Sequence, residues 1–192
     1  GGYGEITVKQ GLASGSNIAT VKTMENAFGN NAHAYFDVLS KMSYSKHDSI
    51  KGILQPYRIT EKNLTWNCIG YGLSVSHIQA LTFSTAIAHN GKMVQPQLYK
   101  DSVVVINPQM ADKANIDSLK LALAYNVTDG LGQPAKSDKT TVAGKQGTIV
   151  VSTDNGSIEY AVEFCGYFPT DNPKYSIIVS INKTGLPASG GL

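Results

Sequence analysis

Thr141-Val142-Ala143-Gly144-Lys145-Gln146-Gly147-Thr148 is the stretch of this sequence that decides the fold. Residues 148–152 form an apolar, β-branched run, which is typical of a strand. Lys145 therefore stands between two glycines at the leading end of that strand. A lysine in this place predicts a platform that can hold an anionic group.

Two further strands are predicted after this one. Asp154-Asn155-Gly156-Ser157 is typical of a hairpin turn, because Asn-Gly tolerates the positive φ angles of tight turns. Alternating apolar residues follow on both sides of a second turn at 169–173. Those expected to share a face are Ile158, Tyr160, Val162 and Phe164 in the second strand and Tyr175, Ile177, Val179 and Ile181 in the third. Three consecutive strands with short turns predict an antiparallel meander.

The chain before this sheet is predicted to be mainly helical. Ser16 or Asn17 can cap a helix that Gly29 ends, and Ser76 forms a capping box with Gln79 for another. The other predicted elements are an extended piece at 5–9, a helix over about 32–42, a short strand at 103–106 and a helix that Asn115 or Asp117 caps. Helices first and a meander last predict the α+β class, in one domain over residues 1–192.

The composition excludes several kinds of function. A formal charge of +2, with no cluster of Lys or Arg, argues against binding to nucleic acid or to an anionic membrane surface. No apolar run approaches the roughly 20 residues that span a bilayer. Cys68, Cys165 and the scattered histidines fit no metal or redox spacing, so we expect free thiols, no metal and no cofactor. The chain opens on Gly-Gly rather than Met, so we expect a trimmed or processed piece whose lack of targeting signals says little about location.

One glycine-rich loop approaches the pattern of a phosphate-binding loop. Residues 130–137 come within one residue of G-x-x-x-x-G-K-[ST], but Ala135 stands where the second glycine belongs. The element predicted after this loop is a strand, so no helix N-terminus is available for a phosphate. We therefore expect no phosphate-binding loop here.

Five segments in collinear order match the motifs of one known family. The segments are Gly15–Ile18 for S-S-N-V (after Gly2–Val8), Ile69–Val75 with Gln79 for I-G-Y-G-L-S-V-T-P-L-Q, Ala86–Lys92 for A-L-A-N-G-G-K, Val142–Thr148 for V-A-G-K-T-G-T, and Phe164–Pro173 for F-V-G-F-A-P-A-D-N-P. Together they resemble the transpeptidase domain of class B penicillin-binding proteins, acyl-transfer enzymes that combine S-x-x-K, S-x-N and K-T-G elements. The resemblance covers roughly the C-terminal two-thirds of that domain and implies its α+β architecture, cut at both ends.

The resemblance also implies roles for individual residues. Lys145 and Asn17 would match the family's catalytic elements, with Lys145 supplying charge to a substrate carboxylate and Asn17 orienting a substrate amide. Thr148 would offer its N–H to an oxyanion hole and its hydroxyl to the carboxylate. The remaining substrate-binding residues would be Ser16, Gln146 and Gly147.

Three departures from the family's pattern bear on activity. The family's S-x-x-K element lies upstream of S-x-N, and this chain begins after that point. The literal Ser43-Tyr44-Ser45-Lys46 follows S-x-N and is not expected to be catalytic, because a nucleophilic serine must stand at a helix start with its lysine one turn on. Gly15 removes the hydroxyl of the first S-x-N position. Gln146 replaces the hydroxyl residue of K-T-G with a longer side chain that costs more rotamer entropy to fix.

Two main hypotheses of different kinds follow. The first is a piece of a peptidoglycan D,D-transpeptidase of the bacterial cell envelope, extracytoplasmic and with a membrane-anchored parent. That parent would transfer acyl groups of D-alanyl-D-alanine stem peptides through a serine ester, while the isolated chain would be inactive. The second is a non-catalytic module that binds stem peptides or a partner protein; an unrelated carboxylate-binding domain is a minor third. The expected partners are a stem peptide or β-lactam, and a second copy through uncovered sheet surface.

Overall fold

A computed structural model describes residues 2–29, 31–42, 58–59, 64–152 and 158–185. The predicted turn at 154–157 and the tetrapeptide at 43–46 lie outside these residues. The helices are Val8–Ala13 (α1), Asn17–Phe28 (α2), Ala32–Lys41 (α3), Leu64–Asn67 (α4), His77–Ala88 (α5) and Lys113–Asp129 (α6), with a 3₁₀ turn at Gln133–Ala135. The strands are Arg58–Ile59 (β1), Leu73–Ser74 (β2), Met93–Val94 (β3), Val105–Asn107 (β4), Ala143–Ser152 (β5), Glu159–Phe168 (β6) and Tyr175–Thr184 (β7). Helices with an antiparallel sheet confirm the α+β class.

The main sheet is an antiparallel meander in the order β5, β6, β7. This confirms the three predicted strands, although β5 begins at Ala143 rather than at Thr148. Gly144 and Gly166 pair across β5 and β6, and a Cβ added at Gly144 would lie 2.5 Å from the ring of Phe164. The two glycines therefore let an aromatic ring lie directly on the sheet beside the site.

The predicted apolar face of β7 is exposed to solvent. Tyr175, Ile177, Val179 and Ile181, here called the outer row of β7, are between 39% and 63% exposed. Strand alternation places them on one face, as predicted, but none of the described helices covers them.

Helix α5 packs against the sheet and is capped at both ends. The Ser76 hydroxyl accepts a hydrogen bond from the Gln79 N–H, and the Gln79 side chain accepts one from the Ser76 N–H, which confirms the predicted capping box. At the other end, Lys120 Nζ of α6 donates to the Ala88 carbonyl at 3.3 Å and to Asn90 Oδ1 at 2.9 Å. The core beneath the sheet is formed by Ala86, Ile87, Ala88, Met93, Met110, Ile116, Leu123, Ala143 and Tyr167.

The predicted extended piece at residues 5–9 is wrong in its second half. Val8 and Lys9 begin α1, because Thr7 caps this short helix and forms a capping box with Gln10. Helix α1 in turn forms one side of a groove that faces the leading half of β5.

The predicted start of α6 is also wrong. The helix begins at Lys113, with Asp112 in the capping position, and so runs ahead of the predicted caps Asn115 and Asp117. Inside the helix the Asp117 carboxylate pairs with Lys113 one turn earlier. The short strand predicted at 103–106 is β4, which begins two positions later at Val105.

Candidate functional site

A groove of about 600 Å³ lies between the α1–α2 corner and the leading half of β5. Five of the six residues assigned a site role from the sequence line it, namely Asn17, Lys145, Gln146, Gly147 and Thr148. β5 is an edge strand among the described residues, so its free side is open to this groove. The structure thus brings the segment at 15–18 and the segment at 142–148 together at one groove.

The turn between α1 and α2 forms one wall of the groove. The Ser16 hydroxyl caps α2 by accepting a first-turn N–H at 3.2 Å, and this residue does not line the groove. Asn17 is exposed and does line it. The Ser14 hydroxyl donates back to the α1 backbone at 3.2 Å. Neither neighbouring hydroxyl therefore replaces the one that Gly15 lacks.

Gly15 faces Lys145 across the groove. Its φ angle is +60°, and a Cβ added there would lie 4.0 Å from Lys145 Nζ and 3.5 Å from Leu131 Cδ1. A serine hydroxyl at this position would come close to the lysine, although a left-handed backbone costs an L-residue about 1 kcal/mol. The position that resembles the first serine of S-x-N therefore meets the lysine without bringing a hydroxyl.

Lys145 is half-buried in the wall of the groove. Its Nζ donates a hydrogen bond to the main-chain carbonyl of Gln146 at 2.8 Å. No carboxylate of the described residues lies within ion-pair distance of it. Burial lowers the pKa of Lys145 below its ordinary 10.5, because the charged ammonium loses solvation. An anionic ligand in the groove would restore favourable interactions to this ammonium.

The next three residues of β5 differ in what they present. The Gln146 side chain is 6% exposed, and its Oε1 accepts a hydrogen bond from Asn126 Nδ2 at 2.9 Å. A Cβ added at Gly147 would meet nothing within 4 Å, so this glycine leaves room beside the strand. Thr148 lines the groove next to it. The strand edge therefore offers a cation, open backbone and a hydroxyl in succession.

Several groove residues were not found from the sequence. Leu131 reaches the groove from the turn after α6, and Cys68 reaches it from the end of α4. Burial raises the pKa of the Cys68 thiol, which keeps it protonated and a poor nucleophile. The described residues that line the groove include no serine. The described part of the chain also holds no group of three metal-ligating side chains.

An edge-strand lysine facing a helix start across a groove is the arrangement expected of penicillin-binding transpeptidases. Residues 1–192 match the penicillin binding protein transpeptidase domain, and the chain belongs to this family. The family resemblance inferred from the five segments is thereby confirmed. Domains of this family act in peptidoglycan synthesis in the cell envelope. Within the described residues, no helix has both the length and the apolar character to cross a membrane.

Solved transpeptidase structures share the fold. The TP domain of Burkholderia pseudomallei penicillin-binding protein 3 is 25% identical with a TM-score of 0.78, over 99% of this chain and 60% of that one. The D,D-transpeptidase domain of the peptidoglycan glycosyltransferase from Eggerthella lenta is 19% identical with a TM-score of 0.74, over 99% and 51%. The transpeptidase domain of FtsI4 D,D-transpeptidase from Legionella pneumophila is 20% identical with a TM-score of 0.69, over 93% and 59%. The chain thus spans between 51% and 60% of the length of these structures. A search of curated proteins finds no match.

Proposed function

We propose that the groove binds the terminal carboxylate of a peptidoglycan stem peptide that ends in D-alanyl-D-alanine, or the equivalent group of a β-lactam. The observation that carries this proposal is the half-buried Lys145 ammonium, which lines the groove opposite Asn17 and Gly15 and has no carboxylate partner among the described residues. The proposed place of action is the extracytoplasmic side of the bacterial cell envelope.

Four groove residues and the neighbouring Ser16 have proposed tasks. Lys145 pairs with the ligand carboxylate, and Thr148 adds a hydroxyl to that carboxylate and a main-chain N–H to the scissile carbonyl. Asn17 orients a ligand amide from the opposite wall. Gly147 lets the ligand backbone lie against β5, since nothing within 4 Å occupies the space beside it. Ser16 supports Asn17 by capping α2.

We propose further that these 192 residues bind without forming an acyl-enzyme. Acyl transfer needs a serine next to a base at the scissile carbonyl, and the described groove lining contains no serine. Gly15 also removes the hydroxyl that would face Lys145. From its position after S-x-N, the Ser-x-x-Lys sequence at 43–46 is not expected to supply this serine.

The second candidate function is a non-catalytic module that binds stem peptides or a protein partner. Gly15 and Gln146 favour it, because both replace hydroxyl residues of catalytic elements while the surrounding fold is kept. A parent open reading frame with Ser-x-x-Lys upstream of Gly1 favours the transpeptidase, and its absence favours the module.

Calorimetric titration with an N-acylated L-Lys-D-Ala-D-Ala peptide tests the binding proposal. The peptide acid is expected to bind at least about tenfold more tightly than its C-terminal amide, because a hydrogen-bonded ion pair contributes more than a neutral contact. Lys145→Met should remove this preference, whereas Lys139→Met, a change at an exposed lysine outside the groove, should keep it.

Equal affinity for acid and amide, or an unchanged preference in Lys145→Met, would contradict the binding proposal. Intact mass after incubation with a β-lactam tests the second part. The expected mass is that of the unmodified chain, and a stable acyl adduct on Ser43 or any other serine would contradict the proposal that the chain forms no acyl-enzyme.

A further inference from the structure

Two buried amide side chains meet behind the groove. Asn126 of α6 is fully buried, and Gln146 of β5 is 6% exposed. Asn126 Nδ2 donates one hydrogen bond to the Gly144 carbonyl at 2.8 Å and another to Gln146 Oε1 at 2.9 Å. These two bonds flank Lys145 on the same strand, so one side chain fixes the backbone before the lysine and the side chain after it.

The main chain of Asn126 continues this connection towards the opposite wall. Its carbonyl accepts hydrogen bonds from the N–H groups of Gly130 at 3.1 Å and Gly132 at 3.0 Å. Between these glycines, the Leu131 N–H donates to the Ala13 carbonyl at 2.9 Å, at the end of α1. A short run of hydrogen bonds therefore joins β5, through Asn126 and Leu131, to the turn that carries Gly15.

The packing around Asn126 leaves its side chain little room to move. A Cβ added at Gly132 would lie 2.5 Å from Asn126 Nδ2. Asn126 Oδ1 has no hydrogen-bond partner among the described residues, so the side chain depends on its two donated bonds for polar contacts. A shorter hydroxyl side chain at position 146 would not reach as far as the Gln146 amide does. The glutamine is therefore matched to this contact by its length.

We propose that Asn126 is a positioning residue of the ligand groove and that Gln146 belongs to the same buried pair rather than to the ligand contacts. The pair holds Lys145 at its distance from Gly15, and the ligand carboxylate is read by Lys145 and Thr148. This inference rests on the proposed binding function. It changes the sequence-based assignment of Gln146 from a substrate contact to a support of the strand.

A double-mutant cycle on peptide affinity tests the inference. Gln146→Met keeps the length of the side chain and removes the acceptor, and Asn126→Leu removes the donor at similar volume. Gln146→Met is expected to weaken binding of the peptide acid by about fivefold, the worth of one hydrogen bond. Asn126→Leu should weaken it further, because this change also removes the bond to the Gly144 carbonyl. The double variant should lose no more than Asn126→Leu alone, because Gln146→Met then has no bond left to break.

Losses that multiply in the double variant, or single variants with unchanged affinity, would overturn the inference while the proposed function stands. Failure of the wild-type chain to bind the peptide acid would overturn both.

Side-chain NMR provides a readout that does not need Asn126→Leu to fold. The Gln146 amide signals of the wild type should stay in place when the peptide is added, while the Thr148 main-chain N–H signal shifts. A ligand-induced shift of the Gln146 amide as large as that of Thr148 would identify Gln146 as a direct contact and contradict its placement in the pair.

Discussion

Lys145 is a charge kept partly out of water next to an open groove. Its ammonium donates to one main-chain carbonyl, and burial lowers its pKa. Coulombic attraction strengthens as the local dielectric falls, so a carboxylate gains more from this lysine than from an exposed one. The same burial means that the folded chain bears a cost for the charge while no ligand is bound.

The affinity for the peptide acid should therefore depend on pH. Binding requires the protonated lysine. Because the pKa of Lys145 is lowered, the affinity should begin to fall at a lower pH than it would for a lysine with the ordinary pKa of 10.5. Lys145→Arg should keep its affinity through this range, because a guanidinium stays charged. Titrations between pH 7 and pH 10 check this, and a wild-type profile as flat as that of Lys145→Arg would contradict it.

Stability should change with pH in the opposite sense. Between the lowered pKa and 10.5, the unfolded chain binds more protons at Lys145 than the folded chain, so this residue makes the free energy of unfolding rise with pH. The contribution of Lys145 is measured as the difference between wild type and Lys145→Met in denaturant unfolding across that window.

At the residue level, the sequence was sufficient to predict the position of a residue that belongs to one of the family's motifs. Lys145, Asn17 and Gly15 could be placed at one site because their segments match the family's order. The contact between Asn126 and Gln146 could not be predicted, because it joins a helix to a strand across the fold with no local pattern. The same holds for Leu131, whose place at the groove depends on a main-chain bond to Ala13.

At the element level, a side-chain cap identified a helix where an apolar period followed it. The cap at Ser16 and the capping box at Ser76 marked α2 and α5, because their side chains satisfy first-turn N–H groups. Helix α1 has only six residues, too few to show an apolar period. The Asp112 side chain makes no capping hydrogen bond, so no side-chain cap marks the residue at which α6 begins.

A further prediction at the element level concerns self-association through the outer row of β7. Ile177, Val179 and Ile181 are between 39% and 52% exposed, which favours association between copies of this chain through the sheet. Sedimentation should show dimers that become more abundant with concentration, and Val179→Lys should shift the population to monomer. Thr184→Lys, at the exposed end of the same strand, is a matched control that should leave the dimers unchanged. A wild-type chain that remains monomeric at high concentration would contradict this prediction.

At the level of the whole molecule, the groove exists because distant segments meet. The wall at residues 15–17 and the wall at 145–148 are joined through α6, which also receives Lys9 of α1 over the ring of Tyr125 at 4.3 Å. Composition and periodicity predicted the α+β class, but only the collinear family segments predicted that these two walls face each other. The match of residues 1–192 to the transpeptidase family accounts for that success.

An NMR titration of the isotopically labelled chain with the peptide acid tests directly whether the ligand carboxylate binds beside Lys145. Binding of the carboxylate at Lys145 should give saturable shifts of the Gly147 and Thr148 main-chain N–H signals and of the Asn17 side-chain amide, and Lys145→Met should need a higher peptide concentration to show them. Saturable shifts that lie outside the groove, or that persist unchanged in Lys145→Met, would show that the ligand carboxylate is not held at this strand.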